Sequence, residues 1–319
     1  MGTAPVIKSR SFCRNSLYCL LVLLAPVCHA QTQVYQPALH EGRWQVSGSP
    51  HACRLWQEVP RFGQVEFYHQ AGESALFRLV PLEPVFAPGA IFVSSQPPAW
   101  NFRQAHRELV AAELVDGEQV LSLDEVNARR LLGELRQGLM PVFEGNGYFV
   151  DNTQVKVLLS AIDFQAPYQQ YLACEKDLLP VNFSQIERST IFWQSGAAEL
   201  SDRDRQMLDD IVRYSEVDKA VYGFEVDSFT DTAGEARENL LLSERRAYQV
   251  TNYLVSRGID PESIATRAHG EREDYLIINP ERSSADRDRN RRVNIRVLRH
   301  PNGRIASDMQ EPGLITARD

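Results

Sequence analysis

Cysteine and long apolar runs are scarce in this 319-residue chain, and each shortage excludes a class of protein. Only five cysteines occur, three of them (Cys13, Cys19 and Cys28) within the first thirty residues, so a disulfide-dense miniature scaffold is ruled out. The histidines are scattered without ligand spacing, which indicates no metal site and no cofactor. G-x-S-x-G, H-E-x-x-H and the phosphate-binding loop are all missing, so no hydrolase or nucleotide motif supports an enzyme. The carboxylates Asp202, Asp204, Asp209 and Asp210 read as the solvated face of an amphipathic helix, and His269 as packing near a groove rather than as a base. No apolar run is long enough to cross a bilayer comfortably, and the run over 17–27 holds no acidic residue for ion transfer. Roughly eight amphipathic strands of a membrane barrel are not seen before residue 175. A net charge of −8 argues against nucleic acid as a partner, despite the arginine-dense stretch over 287–296.

What is present begins with an export signal. Lys8, Arg10 and Arg14 precede the apolar core Leu17–Leu24, and Cys28-His29-Ala30 supplies a small-x-small cleavage site before Gln31. Residues 1–30 are therefore expected to be removed near Ala30, taking the net charge from −8 to −11. Ala25-Pro26-Val27 before Cys28 is a poor lipoprotein signal, so a soluble exported protein with no mature transmembrane segment is expected. Cys53 and Cys174 then remain in an oxidising compartment, as one disulfide or as two separate buried thiols. A disulfide would take the thiol from any nucleophile built on His51 beside Cys53.

The remaining text divides in two, and the fold class expected is α+β. Residues 31–175 are β-rich, with a hairpin about Ala71-Gly72-Glu73, a strand over 89–93, and prolines at 60, 81, 84, 88, 97 and 98 punctuating short strands. A sandwich or barrel-like module follows from this. One helix is expected, opened by Ser122-Leu123-Asp124-Glu125 as a capping box, continued by Val126, Leu131, Leu132 and Leu135, and ended by Gly138 and Pro141. Val155, Val157 and Leu159 alternate as a further strand, and 175–190 reads as a link. Residues 176–300 alternate regularly as βαβαβ with a last strand, a two-layer α/β domain, and 301–319 read as a loose polar tail. In its long helix over 235–257, Leu240, Ala247, Val250 and Leu254 form the apolar stripe, while Asn239, Leu242 and Arg246 share another face. Asp231, in the polar loop before that helix, and Arg246 can flank one shallow, partly exposed pocket. A carboxylate opposite a guanidinium suits a zwitterion, Asp231 taking an ammonium and Arg246 forking a carboxylate. An internal Asp231–Arg246 salt bridge is the plainer alternative.

The ordered motif Thr230-Asp231-x-x-Gly234, Asn239, Leu242-Ser243-x-x-Arg246-Ala247 and Asn290-Arg291-Arg292-Val293 resembles the OmpA-like peptidoglycan-binding family. The resemblance implies that Asp231 and Arg246 hold the free amino-acid end of diaminopimelate, with Thr230, Asn239 and Arg291 around them. Ser228 and Phe229 stand where that family has Gly and then His or Tyr, and Asp286 where it has Gly. In the first half, Cys53-Arg54-Leu55, Val59-Pro60-Arg61-Phe62-Gly63 and Ser95-Gln96-Pro97-Pro98-Ala99-Trp100 are similar to the MotY family of periplasmic flagellar-motor components. Phe164, Gln165 and Tyr168 fit the same pattern, and the paired cysteines sit where that family has them. The resemblance implies a non-catalytic periplasmic anchor whose 31–175 domain docks on the flagellar basal-body ring and the stator while the second domain grips peptidoglycan. An envelope-integrity tether without a motor role is the alternative. Pro97–Trp100 would be an exposed docking edge or a braced loop with Trp100 in the core.

Overall fold

The computed structural model describes Gly2 and residues 32–38, 42–98, 105–149 and 153–300. Apart from Gly2, the expected signal lies outside the described residues, as do the 301–319 tail and Trp100. The first half forms two five-stranded sheets, as the density of short proline-bounded strands requires. One sheet has the order β1 (Thr32–Tyr35), β10 (Gln154–Leu158), β9 (Met140–Asn146), β6 (Gly89–Gln96), β7 (Arg107–Leu114). The other runs β2 (Trp44–Ser49), β3 (Ala52–Val59), β4 (Gly63–Gln70), β5 (Leu76–Pro81), β8 (Leu121–Leu123) in chain order. Alternation places Leu55, Val65, Phe67, Phe77, Ile91, Phe143 and Val157 between the sheets, each no more than 1% exposed. Phe67, Phe77 and Phe143 bridge the two sheets, the last two stacked with centroids 5.2 Å apart. Gln57, fully buried, ties strand to loop by donating to Gly42 O and accepting from Ser160 N.

Two helices complete this half. α1 (Glu125–Arg136) is capped by Asp124, whose side chain accepts from Asn127 N. The expected capping box is corrected here: Ser122 belongs to β8, and Val126 is 75% exposed while Ala128, Leu131, Leu132 and Leu135 are buried. α2 (Gln165–Lys176) packs on β2 and β3, and its Cys174 is joined by a disulfide to Cys53 of β3, with Cα atoms 5.9 Å apart. Gly48, paired with Cys53, leaves the room the bridge needs, since a Cβ there would collide with Cys174 Sγ.

The second half is one mixed four-stranded sheet, β11 (Arg188–Phe192), β14 (Arg292–Arg299), β12 (Val221–Phe229), β13 (Ile264–Gly270), with β12 and β13 parallel and the other pairs antiparallel. α4 (Asp202–Val217) opens on a Ser201/Asp204 capping box and buries Leu208, Ile211 and Val212. α5 (Ala236–Ser256) follows β12, and α6 (Ser284–Asn290) precedes β14. No helix among the described residues is long and apolar enough to cross a membrane.

The stretch expected as a plain link carries the short helix α3 (Phe183–Ile186) and welds the halves together. Leu179 N donates to Pro50 O at 2.8 Å, Gln185 Nε2 to Gly72 O at 2.8 Å, and Asn182 Nδ2 to Glu73 Oε1 at 2.9 Å. Ala71, at a hairpin of the first half, lies in the core of the second. Gly72 has φ +71°, and a Cβ there would sit 2.8 Å from Val181 Cα and 2.9 Å from Asn182 N. Gly72→Ala is therefore expected to cost about 1–3 kcal/mol through overpacking and strain. Thermal unfolding and faster proteolytic cleavage within 177–187 read this loss.

Candidate functional site

The site grows from the end of β12. There Thr230 N donates to Gly270 O at 2.8 Å, closing the strand, and Gly234, at φ +104°, turns the chain into α5. Asn239 locks this turn: its Nδ2 lies 3.3 Å from Asp231 O, 3.0 Å from Ala233 O and 2.5 Å from Glu271 Oε2. One turn on, Ser243 is fully buried and accepts from Gly270 N at 3.1 Å, so the helix presses against the end of β13. The apolar stripe of α5 is accordingly Ala247, Val250 and Leu254. Leu240, expected within it, is 41% exposed, because Asn239, Ser243 and Arg246 occupy the buried face of the first turns.

Arg246 is the most deeply buried charge of the site, with no exposed surface. Its Nε donates to Ala197 O at 2.8 Å and one terminal nitrogen, Nη2, to Gln194 O at 3.0 Å, while Trp193 lies under the guanidinium at 5.5 Å. The other terminal nitrogen, Nη1, is buried and has no partner among the described residues. Burial, reinforced by the charge of Arg291 and partly offset by Asp231, pushes the Arg246 pKa down to about 10, so the side chain stays charged at neutral pH. Thr230 Oγ1 and Trp193 Nε1 are likewise buried without a partner among the described residues.

Asp231 faces Arg291 rather than Arg246. Its Oδ2 accepts from Arg291 Nη1, and Arg291 also donates from Nε to Trp193 O at 3.1 Å and from Nη2 to Asp288. No ion pair joins Asp231 to Arg246 among the described residues. The shallow, partly exposed pocket is also corrected: Thr230, Asp231, Asn239, Arg246 and Arg291 are 1%, 6%, 6%, 0% and 7% exposed. The reason is physical, since the carbonyls of Gln194 and Ala197 already use two donors of Arg246, and Arg291 neutralises Asp231. The structure thus brings all five expected residues into one buried cluster around a single unused guanidinium donor.

Sequence reasoning missed the loop over 193–197, which supplies an indole and three carbonyls, those of Trp193, Gln194 and Ala197. The carbonyls leave no trace in side-chain chemistry, and an aromatic at a strand end is an ordinary core residue. Ser243 stood in the motif without a role, and its hydrogen bond from Gly270 N depends on a strand that the motif does not contain. His269 lies outside the cluster, 2.7 Å from Asp227 Oδ1 and stacked on Phe229 at 4.8 Å. His51 stacks edge-on against Tyr214 across the junction at 5.4 Å.

Residues 35–180 match the family described as the MotY N-terminal domain, and residues 192–291 match the OmpA family. A sodium-type flagellar protein MotY from Vibrio parahaemolyticus is 26% identical over 265 residues, covering 81% of this chain and 88% of that protein. Outer membrane protein A of Bordetella avium is 32% identical over 122 residues, which are 37% of this chain and 59% of that protein. Among solved structures, the C-terminal domain of Helicobacter pylori MotB is 21% identical, covers 36% of this chain and 88% of that one, and has a TM-score of 0.30. The chain joins a MotY N-terminal domain to a domain of the OmpA family.

Proposed function

We propose that this protein is a non-catalytic flagellar anchor of the cell envelope. Residues 176–300 grip peptidoglycan, and residues 31–175 dock on the basal-body ring and stator of the motor. The single observation that supports the grip best is the unpartnered Nη1 of fully buried Arg246, held within one cluster with the Asp231–Arg291 pair. A charged donor kept dry without a partner costs stability, and a ligand carboxylate would repay it. Asp231 is the matching acceptor for the ammonium of the same ligand, the free amino-acid end of diaminopimelate, with Thr230, Asn239 and Arg291 shaping the seat. Because all five side chains are buried, the ligand enters by displacing part of the surrounding loops, so affinity per site is modest.

The motor role is favoured over a simple envelope tether because similarity to the Vibrio MotY runs through both halves of the chain. Sedimentation with purified diaminopimelate-type peptidoglycan tests the grip. Asp231→Asn keeps the shape but removes the charge, and it is expected to lose sedimentation by a factor reflecting about 1–3 kcal/mol while its circular dichroism is unchanged. Undiminished sedimentation of this variant would sink the pocket assignment. For the motor role, a deletion strain is expected to swim poorly with an intact envelope; normal swimming in a leaky strain would favour the tether instead.

A further inference from the structure

Beside the Arg246 cluster lies a cleft of 760 Å³ that the anchoring of an amino-acid end leaves unused. It opens along the outer edge of β11, which has a neighbour on one side only, and the start of α4 forms its far wall. Trp193, Gln194 and Ala197 line it, and the same loop holds Arg246 through its carbonyls and indole. Cleft and cluster are therefore the two sides of one wall.

The lining has an uncommon chemistry for an idle surface. Phe192 is 57% exposed at the edge of the sheet, with its ring in the cleft wall. Around it stand the exposed side chains of Gln194, Glu199 and Arg203, none of which has a hydrogen bond or ion pair among the described residues. Their neighbours differ: Arg205 is paired with Asp202, and Asp204 is committed to the Ser201 cap. An apolar ring surrounded by unspent donors and acceptors of both signs suits a neutral, hydroxyl- and amide-rich ring that stacks by its C–H face and hydrogen-bonds by its rim.

We infer that this cleft is a sugar subsite that takes the amino-sugar strand of the same wall polymer whose peptide is held at Arg246. The inference rests on the anchoring proposed above. A polymeric ligand pinned at one residue must continue somewhere, and the cleft adjoins the pin, is large enough for more than an amino-acid end, and carries no net demand for charge. The wall would then be held at two points, peptide and glycan, and the second contact would favour intact sacculi over free stem peptide.

Two probes separate the contacts in calorimetric titrations of the full-length protein: a diaminopimelate-containing disaccharide-peptide, and the same peptide with the sugars removed by an amidase. The unaltered protein is expected to bind the sugar-bearing probe about fivefold to tenfold more tightly. Phe192→Ala and Arg203→Ala, both at exposed positions, are expected to erase that advantage and leave peptide affinity unchanged. Arg246→Lys is expected to weaken both probes. Equal affinity of the unaltered protein for the two probes, or an advantage that survives both cleft substitutions, overturns the sugar subsite and leaves the anchor standing. No binding of either probe by the unaltered protein overturns both.

Discussion

Arg246→Ala is expected to abolish sedimentation with peptidoglycan and to lower the stability of the second half by about 2–4 kcal/mol. The two losses have separate causes. Stability falls because the guanidinium satisfies the carbonyls of Gln194 and Ala197 in a dry environment, and alanine leaves both unpaired. Part of that cost is offset, since the charge itself is held unfavourably: burial and Arg291 depress its pKa. Binding falls because Nη1 is the guanidinium nitrogen of Arg246 that has no partner among the described residues and is left for a ligand carboxylate. Arg246→Lys distinguishes the causes. Lysine restores a positive charge but cannot reach two carbonyls and a ligand from one planar fork, so it should regain part of the stability and little of the binding. Urea denaturation beside a sedimentation assay reads both. An alanine variant that is fully stable yet still sediments would remove Arg246 from the site.

Replacing Cys53 and Cys174 together by alanine is the second large effect. The bridge closes a loop spanning 121 residues in sequence, and releasing such a loop frees the unfolded chain by about 4–5 kcal/mol on the entropic model. Both cysteines belong to the first half, where the bridge fastens α2 to the sheet that carries β3. The expected result is therefore selective. Thermal unfolding of the first half moves down steeply, while sedimentation with peptidoglycan, proposed above to depend on the second half, persists under conditions where that half stays folded. A double variant whose first half unfolds at the original temperature would show that packing of α2, not the bridge, sets its stability. Gly48→Ala should produce a milder version by crowding Cys174 Sγ.

Much of this protein was legible because its local signals agree with its global fold. Alternation named β10, the hairpin about Ala71-Gly72-Glu73 joins β4 to β5, and the long helix expected over 235–257 is α5. The same logic failed at Ser122, where a box-like spacing spans the end of β8 and the true cap is Asp124. Only one helix was expected in the first half, and α2 was missed because its apolar face is small and the burial of Tyr168 and Tyr171 decides the matter. The five residues expected from the motif do gather in one buried cluster, but their partnership was not readable. Asp231 has a closer opposite charge in Arg291, sixty residues away, than in the arginine two turns along the adjoining helix. Spacing within one helix is visible in a sequence, whereas which of two arginines arrives first across a sheet is a tertiary fact.

The junction gives the molecule a mechanical character. α2 ends at Lys176, and the departing chain is pinned on both sides of that end, covalently at Cys174 and by the Leu179–Pro50 backbone bond three residues beyond Lys176. Pro50 and Cys53 sit on the same β2–β3 hairpin, so both pins bear on one rigid element. A pull applied to the second half therefore cannot peel α2 away like a zip, one bond at a time. It loads a covalent bond and a sheet together, with His51 against Tyr214 and Ala71 in the opposite core resisting rotation. The two halves behave as a bracket instead of beads on a string, and displacement at one end arrives at the other with little slack.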